Sequence, residues 1–164
     1  MDRNHQQIHD FSIVVAQTAE DFKTGAKLFR EYAATLQVDL AFQDFEKEIA
    51  SISLQYNQPG GALLLLKINN QVVGCAGIRE LDPQVAELKR MYVRAEYRQH
   101  KLGRHLLDHA LELAKSLGYG KIRLDTLPDM VQAQNLYRSY HFYEIPPYRF
   151  NPVAGTVYME KLLE

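Results

Sequence analysis

The segment from Lys89 to His105 concentrates the positive charge of this chain. It carries six lysine and arginine side chains against one acidic residue, whereas the whole chain of 164 residues has a formal net charge of −1. The first N–H groups of a helix lack partners within the helix, and the positive end of the helix dipole lies there. A basic turn that leads into a helix is therefore typical of a site for an anion such as phosphate. The charged residues are Lys89, Arg90, Arg94, Arg98, Lys101 and Arg104, opposed by Glu96.

The elements before this segment predict alternating strands and helices. Apolar residues at helical spacing indicate a helix over Thr18–Gln37 and a second helical segment over Phe42–Tyr56. Two apolar runs separated by Asn69-Asn70-Gln71 indicate an antiparallel hairpin. The predicted strands of this half are Phe11–Val15, Ala62–Ile68 and Val72–Leu81.

The elements from Val85 onward predict a parallel crossover. A strand over Val85–Val93 leads into a leucine-rich helix that Gly118 ends, and the strand Lys121–Asp125 follows. A helix over Asp129–Tyr140 and two closing strands, Phe142–Ile145 and Thr156–Leu163, complete the order βααββββαβαββ, in which at most one strand is surplus. This order predicts an α/β fold: a mixed sheet, antiparallel in its first half and parallel across the crossover, flanked by helices.

The composition predicts one soluble, cytoplasmic domain over residues 11–164, preceded by a polar tail over residues 1–10. The chain is 46% hydrophobic, which suffices for a core, and its longest aliphatic run, Ala62–Leu66, falls far short of the ~20 residues that span a bilayer. The single Cys75 excludes an internal disulfide and favours a reducing compartment. A pI of about 6.6 argues against a nucleic-acid partner.

Two motifs carry a resemblance to a known family. The first is the turn Arg98-Gln-His-Lys-Leu-Gly-Arg104 after a strand, and the second is the helix end Ala133-Gln-Asn-Leu-Tyr-Arg-Ser-Tyr-His-Phe142. With both motifs the chain resembles, from about Phe11 to its C-terminus, the GNAT superfamily of acetyl-CoA-dependent N-acetyltransferases. The resemblance implies the acyl-CoA N-acyltransferase fold and acetyl transfer from acetyl-CoA to a primary amine of a small molecule or protein, without a metal or a membrane. A homodimer involving Thr156–Leu163 is compatible with it.

Two positions depart from the family pattern. Lys101 and His141 stand where the motifs have glycine, a residue that allows close approach to a ligand and unusual backbone dihedrals. If the backbone at Lys101 has a positive φ, lysine costs on the order of 1 kcal/mol relative to glycine.

The resemblance also implies roles for individual residues. Asn135 would reach the coenzyme, and Tyr137 would be the general acid that protonates the departing thiolate. The coenzyme pyrophosphate would bind the turn formed by Arg98, Gln99, His100, Lys101, Leu102, Gly103 and Arg104, and the pantetheine arm would lie along Met91, Tyr92 and Val93.

The chemistry of amine acetylation requires a base. An alkylamine with a pKa near ~10.4 is almost wholly protonated at neutral pH, so a group must remove its proton. Glu87 is the candidate, acting directly or through water, and some family members have a glutamate at the corresponding place. A backbone N–H of the Met91–Val93 strand would stabilise the oxyanion.

Other interpretations of these residues stay open. Tyr137 is also compatible with core packing, Glu87 with a salt bridge to Lys89, and Cys75 with buried packing. The glycine replacements allow a non-catalytic protein that binds or senses acyl-CoA. The pattern His105-Leu-Leu-Asp-His109 is similar to a metallopeptidase zinc motif, but it has aspartate in place of glutamate and no evident third ligand.

Overall fold

The computed structural model describes residues 10–164, except for the side chains of Phe42 and Gln43, so the predicted polar tail lies outside the described residues apart from Asp10. Within this range a single mixed sheet has the strand order β1-β2-β3-β4-β5-β7-β6. Its strands are β1 (Phe11–Val15), β2 (Ala62–Ile68), β3 (Gln71–Asp82), β4 (Val85–Val93), β5 (Lys121–Thr126), β6 (Tyr143–Ile145) and β7 (Val157–Leu162).

The predicted fold class is confirmed. Strands β1 to β4 pair antiparallel in succession, and β4 pairs parallel with β5. The helices are α1 (Ala19–Thr35), α2 (Phe45–Ala50), α3 (Ile52–Gln55), α4 (Leu102–Ser116) and α5 (Val131–Ser139), with 3₁₀ helices over Leu40–Gln43 and Ala95–His100. Three strands, not four, lie between α3 and α4, so the predicted order contained one strand too many.

The second helical segment differs from the prediction. The expected helix over Phe42–Tyr56 is divided into a 3₁₀ turn, α2 and α3. Asp44 has a left-handed conformation with φ of 55°, and Ser51 has φ of −117°, so neither residue continues a helix. The carboxylate of Asp39 accepts the N–H of Ala41 at 2.9 Å and begins the 3₁₀ turn. Short local capping bonds therefore override the apolar periodicity.

Both faces of the sheet are covered by helices. Successive side chains of a strand point to opposite faces, yet Leu63, Leu64, Leu65 and Leu66 of β2 are all buried. Leu63 and Leu65 pack with the side chains of α1 to α3, while Leu64 and Leu66 pack in the core that contains α4. A continuous apolar run therefore places this strand between two layers.

The C-terminal ends of α4 and α5 have the same hydrogen-bond pattern, but a different residue follows each helix in the left-handed conformation. Gly118, with φ of 96°, follows α4, and His141, with φ of 69°, follows α5. The N–H of His141 donates to Arg138 O at 3.0 Å and that of Phe142 to Tyr137 O at 3.1 Å, which defines a Schellman motif. His141 thus adopts the conformation that the family glycine would adopt, at a cost of about 1 kcal/mol.

Candidate active site

Strands β4 and β5 form a wedge. They pair only from Val85–Glu87 to Lys121–Arg123, beyond which no described pair joins them. Further along, β4 has a bulge, because Arg90 and Met91 together oppose the single residue Ala76 of β3. A bulge bends its strand, so the second half of β4 leaves the direction of β5.

The wedge exposes backbone N–H groups of β4. The N–H of Arg94 donates to Val73 O of the β3 strand at 2.9 Å, and Tyr92 pairs with Cys75 of the same strand. Because alternate residues of a strand direct their N–H groups to opposite edges, those of Met91 and Val93 face the wedge. They lie where a ligand could pair with β4 in place of a strand.

A groove of about 830 Å³ extends from the wedge. Its volume is in the ~300–1,000 Å³ range of small-molecule sites. Its walls are α1, the end of β4 with the following 3₁₀ helix, and the start of α5. Of the predicted coenzyme contacts, the structure places Met91, Tyr92, Val93 and Arg98 on its lining.

The basic turn lies at the N-terminus of α4, as predicted. Arg98 donates from Nε to Val93 O at 2.8 Å, and its guanidinium lies 5.8 Å from the centre of the Tyr92 ring. Lys101 is the N-cap residue, with φ of 56°, and its side chain makes no capping bond. The left-handed conformation that a family glycine would supply is therefore preserved at Lys101.

The first turn of α4 has room for a ligand. A Cβ added at Gly103 would meet only Leu136 at 4.0 Å, so no described protein atom requires glycine there. A phosphate that approaches the backbone would use this space, which fits the pyrophosphate expected for coenzyme A. Gln99 and His100 lie in the preceding 3₁₀ helix, Leu102 is buried, and Arg104 is exposed.

The two predicted residues of α5 have different surroundings. Asn135 is exposed on the helix. Tyr137 is buried, its ring centre lies 5.5 Å from that of Phe142, and burial raises its pKa. The structure thus places the Tyr137 hydroxyl in a site where it stays protonated.

Glu87 is fully buried at the closed end of the wedge. Its Oε1 receives Arg79 Nε at 3.0 Å, and its Oε2 receives Arg149 Nη2 at 2.6 Å and the Tyr148 hydroxyl at 2.7 Å. Burial alone would raise the pKa of Glu87, but the positive charges of Lys89, Arg149 and Arg79 outweigh it, so that the pKa lies below its usual value. These contacts make the carboxylate a weak base, and its predicted catalytic role stays a prediction.

A second carboxylate, Asp125, lies near the carboxyl end of β5. Its Oδ2 is the one buried side-chain nitrogen or oxygen atom without a hydrogen-bond partner in the described part of the chain. Asp125 lines a cavity of about 40 Å³ between β4 and β5. Tyr32, Leu36 and Leu127 line both this cavity and the groove, so the two spaces adjoin.

Neither Asp125 nor this cavity was predicted from the sequence as part of the site. Ligands of α/β sheets bind beyond the carboxyl ends of parallel strands, and Asp125 is the penultimate residue of β5, so that rule could have identified it. Lys89 also lines the cavity, and burial, together with the charge of Arg90, lowers its pKa to about 8.

Two ion pairs fix the strand that borders the wedge. Arg90, at the bulge, donates from Nε and Nη2 to Glu48 of α2 at 3.1 and 2.9 Å. Arg94, after β4, donates to Glu31 of α1 at 2.9 and 2.7 Å. Both arginine forks are bidentate, which holds the open half of β4 against the helices.

Residues 10–164 contain neither a cluster of metal-ligating side chains nor a membrane-spanning helix. No group of three or more histidine, cysteine, aspartate or glutamate residues in that range could hold a metal ion. His109 Nδ1 lies 2.9 Å from the carbonyl oxygen of His105. No described helix is long and apolar enough to cross a bilayer.

Comparison with known proteins identifies the family. The model of the acetyltransferase (GNAT) family matches residues 23–142. A protein of Schizosaccharomyces pombe named as an uncharacterised N-acetyltransferase is 34% identical over 150 residues, which are 90% of each chain. The chain therefore belongs to the GNAT acetyltransferase family.

Solved structures have the same fold. A GNAT-family acetyltransferase of Staphylococcus aureus gives a TM-score of 0.78 at 23% identity, covering 94% of this chain and 100% of the other. An acetyltransferase of Streptococcus agalactiae gives 0.76 at 23% identity, with 94% and 99% coverage.

Proposed function

We propose that this protein transfers an acetyl group from acetyl-CoA to a primary amine of a small molecule or protein by direct attack. The observation that supports this most strongly is the continuity of three features: the basic turn before α4, the groove along the open edge of β4, and the cavity at the inner end of the wedge. One extended thioester fits along the first two, and an amine can reach the third.

Different residues would bind different parts of acetyl-CoA. Backbone N–H groups at the start of α4, with the charges of Arg98, Lys101 and Arg104, would hold the pyrophosphate. The N–H groups of Met91 and Val93 face the wedge, where they can pair with the pantetheine amides and polarise the thioester carbonyl.

The leaving group requires a proton donor. Acetyl-CoA supplies a thioester whose departing thiolate, with a thiol pKa of roughly 8.5, accepts a proton. We assign this role to Tyr137, whose phenol is protonated near neutral pH because burial raises its pKa. The charge of Asp125 raises the pKa of Tyr137 further.

The replacement of two motif glycines does not favour a non-catalytic function. Lys101 and His141 have φ of 56° and 69°, the left-handed conformation that glycine would adopt there. The shape of the turn is therefore preserved, at a cost in stability of about 1 kcal/mol at each position.

The test is a calorimetric titration with acetyl-CoA and with free coenzyme A. We expect micromolar binding to the wild type and at least tenfold weaker binding to the Arg98→Ala, Arg104→Ala double variant, because cations at a helix N-terminus strengthen phosphate binding. The matched control is Lys115→Ala, Arg138→Ala, which removes two exposed cations away from the groove and should bind as the wild type does. Equal affinity of all three proteins, or no binding to the wild type, would contradict the proposal.

A further inference from the structure

We propose that the cavity between β4 and β5 receives the amino group of an unhindered primary amine, and that the Asp125 carboxylate holds this group as an ammonium ion and takes its proton. This inference rests on the function proposed above. It adds the residue that binds the acceptor and the chemical class of the acceptor.

The first support is the unpartnered oxygen of Asp125. A buried acceptor without a hydrogen bond costs free energy, and native proteins avoid this almost everywhere. In residues 10–164, Asp125 Oδ2 is the exception. An ammonium ion offers donors and the opposite charge, so a bound amine would satisfy this oxygen.

The second support is the position of the cavity. The shared residues Tyr32, Leu36 and Leu127 connect it with the groove, so a group held at Asp125 adjoins the wedge that Met91 N–H faces. Its other polar lining residues are Lys89, Arg90, Thr126, Asn151 and Thr156, of which the last three can accept hydrogen bonds from a polar head group. An amine there would approach the thioester from the side opposite the basic turn.

The third support is size. A water molecule requires roughly 10–15 Å³ of volume measured in the same way, so a cavity of about 40 Å³ holds about three waters. A CH₂–NH₃⁺ end fits this space. A carbon that carries two or three methyl groups beside the nitrogen does not.

The proton and electron balance of the step is complete. The ammonium gives one proton to Asp125, which later releases it to solvent, and the neutral nitrogen forms a bond to the carbonyl carbon. The carbon–sulfur bond breaks with its electron pair on sulfur. Tyr137 gives its proton to the thiolate, and the second proton lost by the nitrogen restores the Tyr137 phenol, so that the products are an amide, a thiol and one proton in solution.

The titratable groups near Asp125 determine at which pH the wild type and its variants can be compared. Its charge acts on Tyr32 of α1, Lys89 of β4, Tyr137 of α5, Tyr148, and Tyr158 of β7. The four tyrosine pKa values are raised, so these phenols stay neutral near pH 7–9, whereas Lys89 loses its proton near pH 8. Wild type and variant must therefore be compared at the same pH.

The experiment measures acetyl transfer to n-propylamine by wild type, Asp125→Asn and Asp125→Glu from pH 7 to 10, together with the acetyl-CoA Kd of each. We expect Asp125→Asn to lower kcat/KM about 100-fold at pH 7.5, as loss of a general base does, with an acetyl-CoA Kd within twofold of wild type. The difference in kcat/KM between wild type and Asp125→Asn should become smaller toward pH 10, where the amine loses its proton to solvent. Asp125→Glu should recover part of the rate.

Two controls sharpen the result. Asp82→Asn makes the same chemical change at an exposed strand end and should keep the wild-type rate. Isopropylamine and tert-butylamine have nearly the basicity of n-propylamine but are branched, and should react at least tenfold and 100-fold more slowly.

Three outcomes would overturn the inference. One is an Asp125→Asn rate within threefold of wild type, and another is equal rates for the branched amines. The third is tight acetyl-CoA binding with no transfer to n-propylamine up to pH 10, which leaves the coenzyme site intact. If the wild-type protein does not bind acetyl-CoA, the result would instead contradict the proposed function.

Discussion

Glu87 and Asp125 are carboxylates on adjacent strands with opposite surroundings: Glu87 is fully buried, whereas Asp125 is half-buried with one buried oxygen. Glu87 lies where β4 and β5 are paired and receives two arginines and a tyrosine hydroxyl. Asp125 lies where the strands have separated, and its Oδ2 receives no donor from the described residues. The buried charge in the closed half of the wedge therefore contributes to stability, whereas the charge in the open half stays available for a ligand.

The same acid-to-amide change should therefore cost much more stability at Glu87 than at Asp125. Glu87→Gln leaves Arg79 and Arg149 facing a neutral side chain, and removal of one member of a buried ion pair costs ~3–5 kcal/mol. Asp125→Asn removes no observed hydrogen bond at Oδ2 and should change the free energy of unfolding by less than about 1 kcal/mol. Urea unfolding of both variants, with equal m values, measures the two changes.

The comparison would fail if both variants lost the same stability. It would also fail if Glu87→Gln kept its stability but lost transfer, because Glu87 would then be the base that the sequence predicted. Asp82→Asn is the control for a carboxylate without buried partners.

Low pH should remove the contribution of Glu87 to the free energy of unfolding. Its pKa is lowered in the folded protein, so its stabilisation is complete above the unfolded value of about 4.3 and is lost as the pH falls through the folded value. The stability difference between wild type and Glu87→Gln should thus be constant from pH 6 to 7 and shrink below pH 4. Urea titrations at pH 7, 5, 4 and 3.5 test this, and a constant difference at every pH would contradict it.

Tyr148→Phe should lower the free energy of unfolding by less than Glu87→Gln does. It removes one hydrogen bond to Glu87 and leaves both arginines, and a hydrogen bond to a charged group contributes about 1.5–3 kcal/mol. We expect a loss at the lower end of this range, with n-propylamine transfer within twofold of wild type. In a double-mutant cycle with Glu87→Gln the loss should largely disappear, and additive losses would show that Tyr148 acts elsewhere.

Most of the fold could be predicted because hydrophobic periodicity and turn chemistry agree over most of the chain. The crossover from β4 through α4 to β5 follows from an apolar strand, a leucine-rich helix and Gly118. The division of the Phe42–Tyr56 segment could not be predicted, because it depends on the left-handed conformation of Asp44 and on local caps. Such contacts leave no periodic signal.

The candidate site was predictable where its residues are consecutive. The turn Arg98–Arg104 and the strand Met91–Val93 are motif segments. The turn lies at the N-terminus of α4, and Arg98 and Met91–Val93 line one groove. The surroundings of the two carboxylates were not predictable. The partners of Glu87 come from β3 and from the segment before β7, and the cavity beside Asp125 is lined by residues from distant parts of the chain. Tyr148 lies 61 residues from Glu87, and no spacing rule connects them.

The incomplete pairing of β4 and β5 also makes the stability of the protein depend on the concentration of its ligand. A sheet that ends its pairing after three residues leaves hydrogen-bonding capacity that a bound molecule can use only when the chain is folded. Any molecule that binds the folded state alone raises the free energy of unfolding by RT ln(1 + [L]/Kd), which is about 2.7 kcal/mol at 100 times Kd. The lifetime of the folded chain in a cell would then rise and fall with the supply of its own ligand.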